Sequence, residues 1–247
     1  MPNSTDHDTT RAHRYPVVEL REYTLHPGRR DALIALFDRE FLLPQEALGM
    51  AVMGQFRDLY NSDRFVWLRG FTNMPARAEA LAAFYGGPVW QAYRTAANAT
   101  MIDSDDVLLL RPASGDVALA VESWQRSSAI SAEPPKGALL ALVLSMNKPA
   151  DAAEVGGFMR RMASLLDVSG GLFAGCYVTE TAPNNFPRLP VREGEHVIVW
   201  LARFTQPDAM QAMAAQCASL VSADPLAGHL RTPPLVLRLA PTAQSRF

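Results

Sequence analysis

Residues 63–73 read Asp-Arg-Phe-Val-Trp-Leu-Arg-Gly-Phe-Thr-Asn, and much of this segment recurs 133 positions later in the chain. The matching residues are Val66, Trp67, Leu68, Phe71 and Thr72, which correspond to Val199, Trp200, Leu201, Phe204 and Thr205. In both copies an apolar strand pattern is followed by a proline and then by an alanine- and methionine-rich helical pattern. A repeat of this kind indicates one structural unit that is used twice.

The hydrophobic periodicity on either side of each copy predicts the same order of elements, β-α-β-β-α-β. This order defines the ferredoxin-like unit, whose antiparallel sheet carries helices on one face only. Two such units can cover each other's bare face by packing sheet against sheet. The sequence therefore predicts an α+β fold, in which tandem ferredoxin-like units form a barrel of the dimeric α+β type with a central cavity.

Changes in composition along the chain give the expected domain boundaries. Residues 1–14 are polar and lack the apolar core of a secretory signal, so we expect a disordered tail there. The first ferredoxin-like domain covers residues 15–112 and the second covers residues 137–241. Residues 113–136 contain Ser-Gly and Pro-Pro pairs and are predicted to be a linker.

The bulk composition excludes several classes of function. The chain has a net charge of −2 and no dense run of Lys and Arg, which argues against nucleic-acid binding. Its longest apolar stretch, residues 138–144, is too short to span a bilayer, so we expect no membrane association and a cytoplasmic protein. The two cysteines indicate no disulfide framework.

Five ordered blocks of the first half carry a family resemblance: residues 19–28 (ELREYTLHPG), 54–58 (GQFRD), 63–71 (DRFVWLRGF), 87–90 (GPVW) and 98–105 (NATMIDSD). Together they resemble the NIPSNAP family, and the second half is similar to it only through the degenerate repeat. The resemblance implies the dimeric α+β barrel superfamily. That superfamily includes cofactor-free monooxygenases of aromatic polyketides, ring-modifying enzymes, haem proteins and proteins without a known activity, so the fold leaves the chemistry open.

The alternation of strand residues selects the candidate site. If Val66 and Leu68 pack beneath the helices, the residues that alternate with them face the barrel cavity. On this assumption the cavity-facing side chains of the first half are Arg21, Tyr23, Phe65, Trp67 and Arg69.

These side chains suit an anionic ligand with an apolar body. A pair of guanidinium groups can bind a carboxylate or an enolate, and a tyrosine can donate a proton or stabilise an oxyanion. We therefore expect Arg21, Tyr23 and Arg69 to be catalytic and Trp67 to bind substrate. The alternative is that Arg21 only forms an ion pair with a nearby glutamate and that Trp67 is a core residue.

A helix that follows the Gly-Gly-Pro at residues 86–88 adds further candidates. Trp90, Arg94 and Asn98 are spaced at i, i+4 and i+8, which places them near one another on a helix. They are predicted to bind substrate, and the glycines before them can let the helix act as a gate. In the alternative interpretation Trp90 anchors the helix to the sheet and Arg94 pairs with a carboxylate.

The histidines show no metal-ligand spacing, so no metal site is predicted. His196 shares a strand face with Trp200, and by the repeat that face is expected to point into the barrel. It is a candidate general base or axial haem ligand, although most histidines in such positions make a single hydrogen bond. No phosphate-binding, dinucleotide or serine-hydrolase motif is present in the sequence.

Three functions follow from these patterns. The first is a cofactor-independent enzyme of the monooxygenase, cyclase or isomerase kind, which acts on an apolar or aromatic acid or carbonyl compound. The second is a non-catalytic binding or scaffold protein, and the third, which is disfavoured, is a haem-binding barrel. The expected partner is a small molecule, and a homodimer is compatible with the sequence but is not required for folding.

Overall fold

A computed structural model describes residues 13–114, 120–121 and 133–246. The strands, in chain order, are β1 (His13–Arg14), β2 (Val17–Leu25), β3 (Ala51–Asp58), β4 (Arg64–Phe71), β5 (Met101–Pro112), β6 (Ala120–Val121), β7 (Ala138–Met146), β8 (Leu172–Thr179), β9 (His196–Phe204) and β10 (Leu235–Pro241). The helices are α1 (Arg30–Leu36), α2 (Leu42–Ala47), α3 (Met74–Gly86), α4 (Pro88–Asn98), α5 (Ala152–Ser169) and α6 (Pro207–Ser222), with a π-helical turn at Phe37–Phe41 and a 3₁₀ turn at Pro225–His229.

Eight strands form one closed antiparallel barrel in the order β10-β3-β4-β2-β5-β8-β9-β7. Each half of the chain contributes four adjacent strands, and the halves join where β5 pairs with β8 and where β10 pairs with β3. Closure leaves no unpaired sheet edge between the halves. Outside the barrel, β1 pairs with β6, which lies within the predicted linker. The rest of the predicted tail, residues 1–12, lies outside the described residues.

The repeated tryptophans occupy equivalent positions in the two halves. Trp67 in β4 pairs with Arg21 of β2, and Trp200 in β9 pairs with Leu142 of β7. Both indole side chains are almost fully buried. The register therefore lets each position of one half be compared with its counterpart in the other.

The predicted orientation of the strand faces is wrong. Val66 and Leu68 point into the barrel, where mainly aliphatic side chains from both halves, together with Phe56 and Tyr177, fill the interior. Trp67 and its neighbours on the same face point outward, beneath the helices of the first half. An eight-stranded barrel is only wide enough to be filled by its own side chains, so no open cavity remains inside it for a ligand. The arginine side chains of this outward face lie in the layer between sheet and helices.

β5 begins at Met101 and includes the acidic residues 103–106. The first helix passes from α1 through the π-helical turn and continues as α2 across Pro44. Pro44 has no N–H to donate to a helical carbonyl, and a π turn just before it shifts the hydrogen-bonding pattern.

None of the described helices is both long and apolar enough to cross a membrane.

Candidate functional site

A small cavity of about 90 Å³ lies between the sheet and the helices of the first half. Aromatic residues are half of those that line it: Tyr23, Phe37, Phe41, Trp67, Phe84, Tyr85 and Trp90. Polar side chains or backbone groups are contributed by Gln45, Asn98 and Ser104. The π-helical turn supplies two of these aromatic rings, and such turns occur frequently at functional sites.

Directly behind the cavity wall lies a buried cluster of charges, here called the arginine cluster. Its centre is the carboxylate of Glu19, which pairs with Arg21 (Nη1 to Oε2, 2.8 Å), Arg69 (Nη2 to Oε2, 2.7 Å) and Arg77 (Nε to Oε1, 2.7 Å). All four side chains have no exposed surface. Three guanidinium groups share one carboxylate, so the buried cluster carries a net charge of +2.

The electrostatics of the arginine cluster follow from this imbalance. Burial raises the pKa of Glu19, but the charges of Arg69, Arg21 and Arg77 lower it more, so the pKa lies far below its ordinary value. Burial lowers the pKa of Arg77, and repulsion from the other two arginines acts in the same direction. Glu19 is therefore an ionised counter-ion and a poor general base.

The arginine cluster touches the cavity through residues of its wall. Arg21 Nε donates to the hydroxyl oxygen of Tyr23 at 3.1 Å, and Arg69 Nη1 donates to Gln45 Oε1 at 3.0 Å. The guanidinium carbons of Arg21 and Arg69 lie 5.6 and 5.1 Å from the centre of the Trp67 ring. The two arginines therefore support the wall instead of lining the barrel interior, where the sequence placed them.

Two hydrogen-bond donors on this wall are suited to an incoming oxygen. Because the Tyr23 oxygen accepts from Arg21, its own hydrogen remains free to be donated. Burial raises the pKa of Tyr23, although Arg21 opposes the shift, so the phenol stays protonated at neutral pH. The indole Nε1 of Trp67 is buried and has no hydrogen-bond partner among the described residues.

The helix that carries the remaining candidates contributes two of its three predicted residues. Trp90 and Asn98 line the cavity, whereas Arg94 is exposed on α4 and is not part of the wall. The buried side of α4 runs through Tyr93 and Ala97, which turns Arg94 towards solvent. α3 ends at Gly86 and α4 begins at Pro88, as the Gly-Gly-Pro segment predicts; its role as a gate stays a prediction.

His196 lies in a different place from the arginine cluster. Its strand face points towards the helices of the second half and not into the barrel. The side chain lines a separate groove of about 310 Å³, together with residues such as Arg111, Glu180 and Thr181. This groove is larger but more open, and its charged Arg111 is exposed to water. Charges in water are screened, so the smaller cavity with its fully buried charges is the better candidate for chemistry.

Sequence reasoning missed several residues of the site. Strand alternation did not identify Glu19 as the buried counter-ion, and it indicated no role for Arg77, Gln45 or Tyr85. Arg77 had a detectable signal, because it occupies the buried helical stripe that continues at Ala80, Leu81 and Phe84. An arginine in such a stripe indicates a buried partner.

No group of three or more His, Cys, Asp or Glu side chains that could hold a metal ion occurs within residues 13–114 and 133–246. The wall of the first-half cavity contains no histidine or cysteine, and its volume of about 90 Å³ is too small to enclose a macrocycle. The residues of this cavity therefore do not fit a haem group.

The NIPSNAP family model matches residues 18–115, so the resemblance of the first half to that family is confirmed. Three solved structures resemble nearly the whole chain. An anthrone oxidase-like protein matches with a TM-score of 0.61 at 12% identity, covering 93% of this chain and 92% of its own. A candidate monooxygenase from Lactobacillus acidophilus gives 0.53 at 12%, covering 94% and 97%. Another from Fusobacterium nucleatum gives 0.54 at 8%, covering 93% of both chains.

These comparisons define the fold of the protein. At such low identity the likeness shows a shared fold, a mixed α+β architecture with an antiparallel sheet that extends over both halves. A comparison with curated proteins gives no match.

Proposed function

We propose that this protein binds a small apolar or aromatic molecule in the cavity of the first half and stabilises its oxygen as an anion. The observation that supports the proposal is the pair of donors on the wall, Tyr23 and Trp67, backed by the net positive arginine cluster. The aromatic wall suits the body of the ligand, and the donors suit its oxygen. The ligand class is therefore an apolar or aromatic acid or an enolisable carbonyl compound.

We further propose that the protein is a cofactor-independent enzyme on such a compound. A positive field behind two donors lowers the free energy of an enolate more than that of the neutral ketone, which is the requirement for catalysis. An enolate can then react with dioxygen, in which case a ring CH₂ becomes C=O, one oxygen atom stays in the product and the other leaves as water. The names of three fold neighbours, two monooxygenases and an anthrone oxidase-like protein, refer to oxidation, but they describe those proteins.

One observation favours a second candidate, a protein that binds without catalysis. Among the described residues of the cavity wall there is no carboxylate or imidazole to act as a base. A ligand that arrives already ionised, such as a carboxylate, needs no base. In that case the same pocket serves as a binding site for anions.

Calorimetry with benzoate and 2-naphthoate tests the binding. We expect the parent protein to bind at least one of them and Tyr23→Phe to bind about tenfold or more weakly, because a charge-assisted hydrogen bond is lost. Tyr60→Phe is the matched control, since Tyr60 is exposed and does not line the cavity. Equal affinity of the parent and the Tyr23 variant for every ligand in the panel would place the pocket elsewhere.

Hydrogen–deuterium exchange of the acidic CH₂ groups of 2-indanone separates the two candidates. An enzyme that stabilises the enolate accelerates this exchange, and Tyr23→Phe slows it; NMR measures both rates. A protein that binds 2-indanone without accelerating exchange is a binding protein only.

We also infer that each half is a ferredoxin-like unit, with domains at residues 15–112 and 137–241. The inference is supported by the equivalent strand order of the halves and by the 133-residue repeat. The intrachain barrel then needs no second copy, and a homodimer can form only through outer surfaces. Light scattering that finds the isolated first half self-associated and the full chain monomeric would support this arrangement, whereas a full chain that unfolds on dilution would count against it.

A further inference from the structure

The second half contributes one wall of the cavity in the first half. The loop between β8 and β9, residues 180–195, leaves the second half and lies against α3; it is here called the crossing loop. Its Leu189 side chain lines the cavity, and the ring of Phe186 stacks on Tyr85 with centroids 6.1 Å apart. The site is thus incomplete without the second half.

Both ends of the crossing loop are fixed to β5. The backbone N–H of Glu180 donates to the carbonyl of Leu109 at 2.9 Å, and that of Arg192 donates to the carbonyl of Val107 at 2.8 Å. The Arg192 side chain also pairs with Asp106 at 3.1 Å. Any adjustment to a ligand is therefore confined to the middle of the loop.

The middle of the crossing loop is held by Asn184 and by the arginine cluster. The Asn184 side-chain oxygen accepts from Arg77 Nη1 at 3.0 Å and from the backbone of Phe186 at 3.1 Å, while its nitrogen donates to the carbonyl of Leu189 at 3.0 Å. Arg77 Nη1 also donates to Asn185 at 2.8 Å. Since Arg77 Nε binds Glu19, one arginine links the loop to the buried charges.

We propose that the crossing loop is the specificity-determining wall of the pocket. Leu189 limits the length of the apolar body that fits, and Asn184 is a positioning residue that holds Leu189 in place through Arg77. The proposal rests on the proposed function for the identity of the ligand, but not for the position of the wall. It predicts that residues of the second half limit the size of the ligand that binds in the cavity of the first half.

The first test compares benzoate with the longer 2-naphthoate in calorimetry. Leu189→Ala should raise the affinity for 2-naphthoate relative to benzoate by about tenfold, because an apolar pocket that loses side-chain volume accepts a larger ring. Leu59→Ala, a half-exposed leucine outside the loop, is the control. If the parent binds these acids but the ratio stays the same in Leu189→Ala, the wall lies elsewhere while the proposed function stands.

The second test needs no ligand and measures acrylamide quenching of tryptophan fluorescence. Asn184→Leu and Leu189→Ala should raise the quenching constant about twofold by local opening of the wall over Trp90. The increase should vanish in a Trp90→Phe background. Unchanged quenching in both Asn184→Leu and Leu189→Ala would overturn the proposal. Should the parent bind neither acid, only the proposed function fails, and this measurement still decides the position of the wall.

Discussion

The two halves surround one barrel with similar elements, yet the layers beneath their helices differ in chemistry. In the first half that layer contains the arginine cluster, whereas in the second half it is filled by apolar side chains. The strand registers and the 133-residue offset give the correspondence: Glu19 with Leu140, Arg21 with Leu142, Arg69 with Ala202 and Arg77 with Met210. Tyr23 likewise corresponds to Leu144.

This difference shows that the buried charges are not needed for the fold. The second half forms the same strand order with an apolar layer, so the fold does not require buried ions at these positions. Burying three guanidinium groups with one carboxylate costs free energy that an apolar layer does not cost. We therefore attribute the arginine cluster to function.

The largest effect is expected when the counter-ion is removed. Glu19→Gln leaves three buried guanidinium groups without a negative partner, and we expect a loss of about 3–5 kcal/mol in the free energy of unfolding at pH 7. Urea denaturation measures the loss. Glu79→Gln, at an exposed position on α3, is the control and should change stability little.

The stability lost in that variant should return when the whole cluster is replaced by its counterparts. Glu19→Leu, Arg21→Leu, Arg69→Ala and Arg77→Met together reproduce the residues of the second half. We expect the fourfold variant to unfold within about 1 kcal/mol of the parent, or to be more stable, because well-packed apolar groups often replace buried ions without loss. A fourfold variant as unstable as Glu19→Gln would mean that the first half needs its charges to fold.

The two halves also differ on the strand face that points into the barrel. There Glu22 occupies the position that Val143 holds in the second half. Burial, together with the charge of Asp106, raises the pKa of Glu22 from 4.5 to about 7. Between these pH values the folded protein keeps a proton that the unfolded chain has released. This group therefore makes stability fall as the pH rises, by up to about 3 kcal/mol.

Urea denaturation at pH 5 and pH 8 tests the role of Glu22. The parent should lose more stability between these two pH values than Glu22→Gln, which cannot ionise. The same pH dependence in both proteins would exclude Glu22 as the source.

The smallest effect is expected on the affinity for benzoate when each of the repeated tryptophans is replaced in turn. Trp67→Phe removes an unpartnered N–H from the cavity wall, so benzoate should bind more weakly by about 1 kcal/mol. Trp200→Phe makes the same change in the second half and should leave the affinity unchanged. Equal weakening in calorimetry would indicate a general packing effect instead of a hydrogen bond to the ligand.

The sequence predicted more of the fold than of the site. Alternation along β2 and β4 correctly grouped Arg21, Tyr23, Trp67 and Arg69 on one face, and their contacts confirm that they lie together. It did not predict which way that face points, because Val66 and Leu68 on the other face are as deeply buried. Periodicity defines two faces of a strand, but here both faces are covered, one by the barrel and one by helices.

The rest of the site depends on contacts between residues that are distant in sequence. Asn184 meets Arg77 across 107 positions, and nothing in its Pro- and Asn-rich loop predicts that partner. The π-helical turn could not be predicted from the sequence either, because its residues fit an ordinary α-helical pattern. Local patterns thus found the face that carries the charges, and only the tertiary structure supplied their counter-ion and the wall around the cavity.

The central claim is that the arginine cluster favours the anionic form of a ligand in the first-half cavity. It is tested most directly by titrating 4-nitrophenol, whose anion absorbs visible light, in the presence of the parent protein and of the fourfold variant. The account predicts that the parent lowers the pKa of the bound phenol by about one unit or more, which corresponds to ~1.4 kcal/mol of preference for the anion, and that the fourfold variant does not lower it. An equal pKa of the phenol with both proteins, when both are folded, would contradict the account.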